Sequence, residues 1–402
     1  FSVEQDKPAV PWLSVTPTSL TVPPHSVGYV KVDVKEGLLS KNGAYFQMII
    51  MKHNDATGPH AMGVQYRRGW KDDPTVVGSI TGDSTHIDVP YGVVASPDGD
   101  YVYVVGWYSN SIAVVDVSNP SSPTVAGSIT GDSTNMDEPQ GIALSPDGNF
   151  AYVVAKVSNS IAVVSVNDPS SPTVVGSITG DSINMNGAFR TAMSPDGTYA
   201  YVTGRESDSV AVVNVSDPSS PKVVGSITGD SINMDVPQGV AVSPGGDYVY
   251  VAGRESDSVA VVNVSDPTSP TVVGSITGDS TNLDGAWGVA VSPDGNYVYV
   301  TSHSTGYLVT VDVHNPRSPT MVGAVPVGER TYGVAVSPDG KYAYVTGYHS
   351  DGLAVVNVSI ASNPTVVSEV TDSTNIDVAA GVVLSADGHY AYVTGEISDS
   401  FA

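Results

Sequence analysis

The sequence predicts an all-β protein: a seven-bladed β-propeller with four-stranded blades, preceded by a small N-terminal β-sandwich-like module. The main evidence is a Ser-Pro-Asp-Gly motif that recurs with small changes, beginning at Ser96, Ser145, Ser194, Ser243, Ser292, Ser337 and Ser385. The intervals are 49, 49, 49, 49, 45 and 48 residues. A repeat of this length with strand-like contents is typical of a propeller blade, and seven such blades close into a ring.

Each repeat contains four segments with the pattern of β-strands, which is clearest between residues 239 and 276. Residues 239–243 alternate small and apolar side chains, and residues 248–252 place valine and tyrosine at period two. Residues 259–264 are a nearly continuous apolar run, which indicates a strand buried on both faces. Residues 271–276 follow a proline, as is typical of an outer edge strand. We therefore expect strands a to d in this order in every blade.

The two ends of the chain carry complementary parts of a blade. A copy of strand d, residues 74–80, precedes the first strand a, and the sequence ends where the last strand c is expected to begin. We predict that N-terminal strands close the last blade in a two-plus-two arrangement, with strands a and b from residues 381–395 and strands c and d from residues 62–80. The alternative is a chain that continues beyond Ala402 with its own strand c.

Charge and composition limit the partners of the protein. The chain has 402 residues, 16 basic and 41 acidic, for a net charge of −25, which repels phosphate backbones and anionic lipids. Without cysteine, neither a disulfide nor a Cys-based zinc site can form. No apolar stretch is long enough to span a membrane. Few lysines and many Ser, Thr, Asn and Asp residues favour an extracellular or cell-surface location.

Two segments carry a family resemblance. The residues from Ser292 to Thr301, SPDGNYVYVT, and from Ile112 to Val117, IAVVDV, resemble the YVTN and LVIVD β-propeller repeats of bacterial and archaeal surface proteins. The resemblance covers residues 62–402 and implies the propeller fold. Relatives of this kind include surface-layer and adhesion modules as well as enzymes, so the resemblance leaves the activity open.

Residues 1–57 differ in sequence pattern from residues 58–402, the predicted propeller. Their alternating segments, with a WLSV opening at Trp12 and a later Gly-x-Tyr, resemble part of a BACON-type immunoglobulin-like module. Only four or five strands can be counted, so an edge must be covered, either by the protein itself or by a strand from a neighbouring subunit. The second possibility predicts self-association into a homopolymer through Trp12, Leu13, Val15, Tyr29, Lys31, Tyr45, Met48 and Ile50.

An acidic loop follows strand d in most repeats and offers oxygen ligands for Ca²⁺. Its carboxylates are Asp83, Asp88, Asp132, Asp137, Asp181, Asp230, Asp235, Asp279, Asp284, Asp372 and Asp377. The alternative is that Asp and Asn form Asx-turns that shape the loop, and the spacing lacks the dense ligands of an EF-hand. Apart from this calcium hypothesis, no cofactor is expected.

No local motif of catalysis is present: the histidines do not form metal-binding pairs, and there is no nucleophile elbow. The pairs Arg205–Glu206 and Arg254–Glu255 indicate ion pairs on a rim, with carboxylate recognition as the alternative. Asn214, Asn263 and Asn357 begin glycosylation sequons. The Tyr-x-Tyr pattern of strand b predicts rings packed between blades.

These observations favour a non-enzymatic extracellular structural or interaction protein, a subunit of a homopolymeric filament or surface layer. One alternative is a propeller hydrolase or lactonase, for which the sixth repeat supplies the best candidates, Glu329, Arg330, His303 and Tyr332. Another is an adhesin that binds a glycan or a surface protein through the loop face.

Overall fold

A computed structural model describes residues 74–81, 87–131, 135–180, 184–229, 233–278, 282–347 and 351–402, together with the backbone of five strands before residue 74. The chain divides into two compact units, Phe1–Asp73 and Pro74–Ala402. In the first unit, β1 (Ser2–Gln5), β4 (Gly43–Lys52) and β5 (His60–Arg68) form an antiparallel sheet, and β2 (Leu13–Thr16) pairs with β3 (Lys31–Val34).

The second unit is a seven-bladed propeller, as predicted, and each blade is a four-stranded antiparallel sheet. Blades 1 to 3 contain β7 (Pro90–Ala95), β8 (Tyr101–Gly106), β9 (Ser111–Asp116), β10 (Thr124–Thr130); β11 (Pro139–Leu144), β12 (Phe150–Ala155), β13 (Ser160–Ser165), β14 (Thr173–Thr179); and β15 (Ala188–Met193), β16 (Tyr199–Gly204), β17 (Ser209–Asn214), β18 (Lys222–Thr228). Blades 4 to 6 contain β19 (Pro237–Val242), β20 (Tyr248–Gly253), β21 (Ser258–Asn263), β22 (Thr271–Thr277); β23 (Ala286–Val291), β24 (Tyr297–Ser302), β25 (Tyr307–Asp312), β26 (Thr320–Pro326); and β27 (Thr331–Val336), β28 (Tyr342–Gly347), β29 (Gly352–Asn357), β30 (Thr365–Thr371). Blade 7 contains β31 (Ala379–Leu384), β32 (Ala391–Gly395), β33 (Ser400–Phe401) and β6 (Ile80–Thr81).

The core lies between blades, where the second and third strands of each blade are almost completely buried. The second tyrosine of the Tyr-x-Tyr pattern packs there, as predicted, and Tyr103, Tyr201 and Tyr250 are at most 2% exposed. Desolvation raises the pKa of each of these three phenols to about 12. The outermost strands are only partly buried, because one of their edges ends the sheet.

The Ser-Pro-Asp-Gly motif is the turn between the first two strands of a blade. In blade 2, Ser145 Oγ donates to Asp147 Oδ1 at 2.5 Å, and the amides of Asn149 and Phe150 donate to Asp147 and to Ser145 Oγ. The hydrogen bond from Ser145 is the main reason that the pKa of Asp147 lies below its ordinary value. Gly148 has a φ of 74°, which explains the glycine at the end of the motif.

The ring closes with three strands from the C-terminal end and one from the N-terminal side. Strand c of blade 7 is β33, which pairs with β32 on one side and with β6 on the other. The predicted two-plus-two closure is therefore wrong for strand c, and only strand d comes from the N-terminal side. Most of the segment assigned to that strand c lies in β5, which pairs with β4 over nine residues in the first unit.

Neighbouring blades are joined by a repeated hydrogen bond, which we call the seam bond. An Asx side chain in the turn between strands b and c accepts a hydrogen bond from a backbone amide that leads into the next blade. The six pairs, with the residue whose amide donates named first and the residue whose side chain accepts named second, are Glu138 and Asn110, Gly187 and Asn159, Val236 and Asp208, Gly285 and Asp257, Val378 and Asp351, and Val89 and Asp399. The last pair fastens blade 7 to blade 1 at 3.0 Å. Blade 5 has Gly306 at this position.

Candidate functional site: the mouth of the central channel

The innermost strands surround a central channel, and their second residues meet near one end of it. This set, the channel floor, consists of Tyr91, Gln140, Phe189, Gln238, Trp287, Tyr332 and Ala380. The rings of Phe189 and Trp287 lie edge to face with centroids 6.0 Å apart, and Trp287 meets Tyr332 at 4.7 Å. Tyr91 completes the apolar contact at 6.0 Å from Phe189. Aromatic side chains from blades 1, 3, 5 and 6 thus converge at the channel floor.

The next residue of the innermost strand is glycine in six blades and arginine in blade 3. The glycines are Gly92, Gly141, Gly239, Gly288, Gly333 and Gly381. A side chain is difficult to place at these positions, since a Cβ atom would lie 2.3 to 2.8 Å from the carbonyl oxygen of the neighbouring blade. Arg190 occupies the equivalent position in blade 3 and lines the channel. A long cationic side chain therefore stands where the repeat otherwise excludes any side chain.

Arg190 is held by groups from three blades. Its Nη1 donates to the carbonyl oxygen of Gln140 at 2.6 Å, and its guanidinium lies 4.5 Å from the ring centroid of Tyr91 and 4.7 Å from that of Phe189. Tyr91 also accepts a hydrogen bond from it. Desolvation lowers the pKa of Arg190, while Tyr91 acts in the opposite direction. Because a guanidinium titrates far above neutral pH, the group stays cationic.

A second layer surrounds the floor and comes from the first residue of each turn between strands b and c. We call it the mouth tier, and its described members are Trp107, Lys156, Arg205, Arg254, His303 and Glu396. Arg205 lies 5.3 Å from the centroid of Phe189, and Arg254 lies 5.6 Å from that of Trp287. These contacts place the cations of blades 3 and 4 directly against the aromatic floor.

The cations line a cavity of about 510 Å³ at the side of blades 2 to 4, with Lys156, Arg205 and Arg254 among its walls. Lys156 pairs with Glu138 at 3.7 Å, and Arg254 pairs with Glu255 at 3.6 Å. Together with Arg190, four of the 16 basic residues of a chain with net charge −25 stand at this end of the channel. Glu206, Asp208 and Glu255 line the same cavity, so its walls carry three acidic and three basic side chains, whereas the groups that hold Arg190 are neutral.

Several buried polar atoms at this end have no hydrogen-bond partner among the described residues: Gln238 Oε1, Trp287 Nε1, Trp107 Nε1, Glu396 Oε2 and, beside Arg190, Thr191 Oγ1. Gln238 is completely buried, and Trp287 is 7% exposed. Leaving such groups unpaired is costly, which is typical of a site that binds a ligand or ordered water. Burial also raises the pKa of Glu396, whose charge in turn acts on Tyr91.

The structure brings together two of the four candidates that the sequence assigned to the sixth repeat, although it places His303 in blade 5, between β24 and β25. His303 and Tyr332 meet with ring centroids 5.2 Å apart, and His303 also stacks on Trp287. Glu329 and Arg330 are exposed in the loop before β27. Arg190 was missed, although aligning the innermost strands of the seven repeats reveals it as the single departure from glycine.

The loop carboxylates form no metal cluster within the described residues, where no group of three His, Cys, Asp or Glu residues is suited to hold an ion. Asp83, Asp132, Asp181, Asp230 and Asp279 lie outside the described residues. In the loop into blade 7, Asp372 accepts hydrogen bonds from the amides of Thr374 and Asn375, an Asx-turn. The side chain of Asn135 donates to Ser177 Oγ in the outer strand of blade 2 at 2.8 Å. The calcium hypothesis stays a prediction, which calorimetry with Ca²⁺ can test.

The assembly prediction falls on residues outside the described side chains. Of its eight positions, Leu13, Val15, Lys31, Tyr45, Met48 and Ile50 lie in strands described only by their backbone, and Trp12 and Tyr29 lie outside the described residues. The sequon side chains of Asn214, Asn263 and Asn357 accept hydrogen bonds from the amides two residues later. In the described part of the chain, no helix is long and apolar enough to cross a membrane.

Comparison with known families agrees with this architecture. The protein is a seven-bladed β-propeller, and the model of the LVIVD repeat matches residues 95–131 and 140–180, which confirms the predicted repeat type there. The model of the seven-bladed β-propeller lactonases matches residues 171–273, and that of the cytochrome D1 haem domain matches residues 259–370. No curated protein sequence matches the chain at a significant level.

Solved structures with low sequence identity share the fold. Kuenenia stuttgartiensis hydrazine synthase matches with a TM-score of 0.64 and 19% identity, covering 84% of this chain and 98% of that chain. A putative 6-phosphogluconolactonase from Bacteroides fragilis NCTC 9343 matches with 0.65 and 15%, covering 83% and 96%. The Cps50 (Swd1) β-propeller domain of Myceliophteria thermophila matches with 0.62 and 12%, covering 80% and 98%.

The lactonase comparison overturns the expectation that the chain is not an enzyme. The matched residues, 171–273, include Arg190, Arg205 and Arg254. From the sequence, Arg205 and Arg254 were interpreted as members of ion pairs on a rim, and Arg190 was not singled out. The structure instead shows unequal polar residues converging on the axis of the ring, which is the arrangement expected of a propeller enzyme.

The cavity that Lys156, Arg205 and Arg254 line offers no axial ligand for a haem group. Haem iron needs an axial His, Cys, Met or Tyr ligand. None of the described residues that line the larger cavity is of these types. His303, stacked on Trp287 at 5.1 Å and 26°, is not part of that lining. We derive no role for haem.

Proposed function

We propose that the protein is a hydrolase that opens a small anionic lactone at the mouth of the central channel. The observation that carries this proposal is Arg190, the single cationic side chain at a glycine position, held at the aromatic floor beside Arg205 and Arg254. The lactonase match over the same blades supports the reaction class.

Binding follows from the charges and the unpaired groups. An anionic substituent of the substrate, such as a phosphate or carboxylate, is attracted to Arg190 in the channel and to Arg205, Arg254 and Lys156 in the cavity beside it. Glu206, Asp208 and Glu255 also line that cavity, so the bound anion has to lie closer to the cations than to these carboxylates. Arg190 is held by neutral groups, so its charge offsets part of the repulsion that a net charge of −25 exerts on an anion. Trp287, which lines the channel, supplies its Nε1 as a donor for a sugar-like ring.

The chemical step needs a group that accepts a proton and a group that stabilises negative charge. Water adds to the lactone carbonyl carbon, and the ring C–O bond then breaks to give a hydroxy acid. Glu396 accepts the proton of the attacking water, since its raised pKa brings it closer to neutral pH. Arg190 donates to the oxyanion of the tetrahedral intermediate, and the proton ends on the leaving ring oxygen.

Hydrolysis of 6-phosphogluconolactone, measured by proton release above the spontaneous rate, tests the proposal. Arg190→Gly should reduce kcat/KM at least about 100-fold, the usual effect of losing an oxyanion donor. The matched control is Arg317→Gly, an exposed arginine in a turn between strands c and d. The proposal fails if the wild-type protein does not accelerate the opening of phosphorylated or unphosphorylated lactones, or if Arg190→Gly retains full activity.

The pH profile of the same reaction tests the role of Glu396. Activity should fall as pH decreases through the pKa of Glu396, because the protonated carboxyl cannot accept the proton of water. The inflection should lie above the ordinary glutamate value, and Glu396→Gln should remove it together with most of the activity. A profile that is unchanged in Glu396→Gln assigns the base to another group.

A further inference from the structure

The residues that follow the mouth tier in the chain divide the rim of the channel mouth into two chemically different halves. In blades 3 and 4 the second residue of the turn between strands b and c is Glu206 or Glu255, next to an arginine. In blades 7, 1 and 2, which are consecutive around the ring, it is Ile397, Tyr108 or Val157. We call these three residues the apolar arc.

The apolar arc is unusually exposed. Ile397, Tyr108 and Val157 are 62%, 64% and 51% exposed, and they are three of the seven large hydrophobic side chains that are exposed in the described part of the chain. Scattered single hydrophobic residues on a surface need no explanation, but three at one repeat position in three successive blades form a patch. Behind the arc, the ring of Trp107 lies 5.0 Å from that of Tyr108 and extends the apolar surface inward.

The arc adjoins the cavity that Lys156, Arg205 and Arg254 line together with three carboxylates. Blade 2 belongs to both halves, since Lys156 lines this cavity and the next residue, Val157, is part of the arc. At the other end of the arc, in blade 7, the acidic residue Glu396 precedes Ile397. A molecule bound at Arg205 therefore has Val157, the nearest member of the apolar arc, in the adjacent blade 2.

We infer that the mouth binds anionic amphiphiles, with the anionic head group among Arg190, Arg205 and Arg254 and an alkyl or acyl tail along the apolar arc. This inference deepens the proposed function and rests on it for the reaction, because it assigns the substrate an acyl-bearing or alkyl-bearing class. A tail on the arc removes both the arc and the tail from water, whereas a small anion leaves the arc exposed.

Binding of straight-chain alkanoates below their micellar concentration tests the inference without requiring catalysis. Calorimetry with acetate, butyrate, hexanoate and octanoate should show affinity that rises about two- to fourfold per added methylene, as expected for partial to complete burial of each group. In a variant with Tyr108→Ser, Val157→Ser and Ile397→Ser, affinity for acetate should be retained while the dependence on chain length disappears. The matched control is Ile360→Ser, which removes an equally exposed isoleucine, at 62%, in a turn between strands c and d.

The outcomes separate the inference from the proposed function. Equal affinity for acetate and octanoate, or a dependence on chain length that survives in the triple variant, overturns the amphiphile inference and leaves a site for small anions. Binding of a neutral alkyl glucoside as tight as that of octanoate also overturns it, because the head group is then irrelevant. Arg190→Gly is expected to lose all alkanoate binding. Failure of the wild-type protein to bind any alkanoate would overturn the inference. The proposed function is tested separately, by the assay of lactone hydrolysis.

Discussion

Arg190 shows how a repeat protein can place one functional residue among copies of the same segment. The other six blades require glycine at this position because the neighbouring strand approaches too closely for a side chain. Blade 3 accommodates the arginine while keeping the local bonds of the repeat, since the Arg190 amide still donates to Thr203 Oγ1, as Gly288 does to Thr301. The position therefore carries function without changing the pairing of the strand.

Restoring glycine at this position separates stability from function. Arg190→Gly should change the free energy of unfolding by no more than about 1 kcal/mol, because the loss of cation–π contacts is offset by relief of the close approach. Thermal unfolding measures this change, and ligand binding is lost in the same sample. A large drop in Tm would show instead that Arg190 holds the floor together.

The buried tyrosines make stability fall at alkaline pH. The pKa values of Tyr103, Tyr201, Tyr250 and Tyr299 are raised from 10 to about 12, so folding favours the neutral phenol. This contribution is complete below pH 10 and is lost as the pH rises toward 12. Thermal unfolding between pH 9 and 12, followed with tyrosinate absorbance, should show both events together. Tyrosinate formed well before unfolding would contradict this prediction.

The identity of the individual functional residues was the feature least predictable from the sequence. The exposed loop residues Glu329 and Arg330 attracted attention because their repeat is irregular, whereas Arg190 lies inside a regular strand whose pattern is otherwise intact. Only residues that lie near the axis of the ring contact residues of several other blades. The sequence of a single repeat does not show which of its residues lie near that axis, because the axis exists only in the assembled ring. Comparing the repeats column by column at strand a would have supplied the missing signal.

At the level of single elements, one blade lacks a bond that the others have. Blade 4 has Gly245 where its neighbours have the aspartate of the Ser-Pro-Asp-Gly turn. The site has space, since a Cβ atom there would meet only the carboxylate of Asp247, at 4.0 Å. Gly245→Asp should raise the free energy of unfolding by about 1 kcal/mol through the added hydrogen bonds and a less flexible unfolded chain, reduced by repulsion from Asp247. Chemical denaturation measures the change, with Gly245→Ala as the control that adds a side chain without the carboxylate.

The strands were predictable because their turns are. Gly marks every turn between strands a and b, with Pro and Asp before it in most of them, and the continuous valine-rich run of strand c can only be buried. The N-terminal contribution to strand c was mispredicted for a physical reason. The segment in β5 has the length and pattern of a strand, but β4 pairs with it over nine residues in the first unit. Pattern identifies a strand, whereas competition between partners determines its sheet.

The whole ring depends on a short N-terminal strand. A chain that begins at Pro74 contains the entire second unit and should unfold cooperatively with a Tm close to that of the full protein. A chain that begins at Gly82 lacks β6 and leaves the edge of β33 unpaired. It should expose blade 7 to hydrogen exchange and to proteolysis. Equal protection of blade 7 in the two chains would show that β6 does not close the ring.

The size of the protein in solution tests the assembly prediction. If residues 1–57 join subunits through an exchanged strand, light scattering of the full chain should show polymers and the chain that begins at Pro74 should be monomeric. Monodisperse monomers of the full chain would contradict assembly, and polymers of the shortened chain would assign the contact to the propeller.

The seam bond is strictly local, because each one joins a turn to the loop entering the adjacent blade and uses the same kind of donor and acceptor around most of the ring. If one complete 49-residue copy were lost from or added to the gene, each remaining blade would still form its seam bond with the blade beside it. Repeat proteins in general behave in this way, because each repeat contacts only its immediate neighbours. Only the angle between neighbouring blades around the ring would have to change. The contacts at the centre of the ring are the ones that oppose such a change in blade number. An added or missing copy would displace Arg190 from the aromatic rings that now surround it.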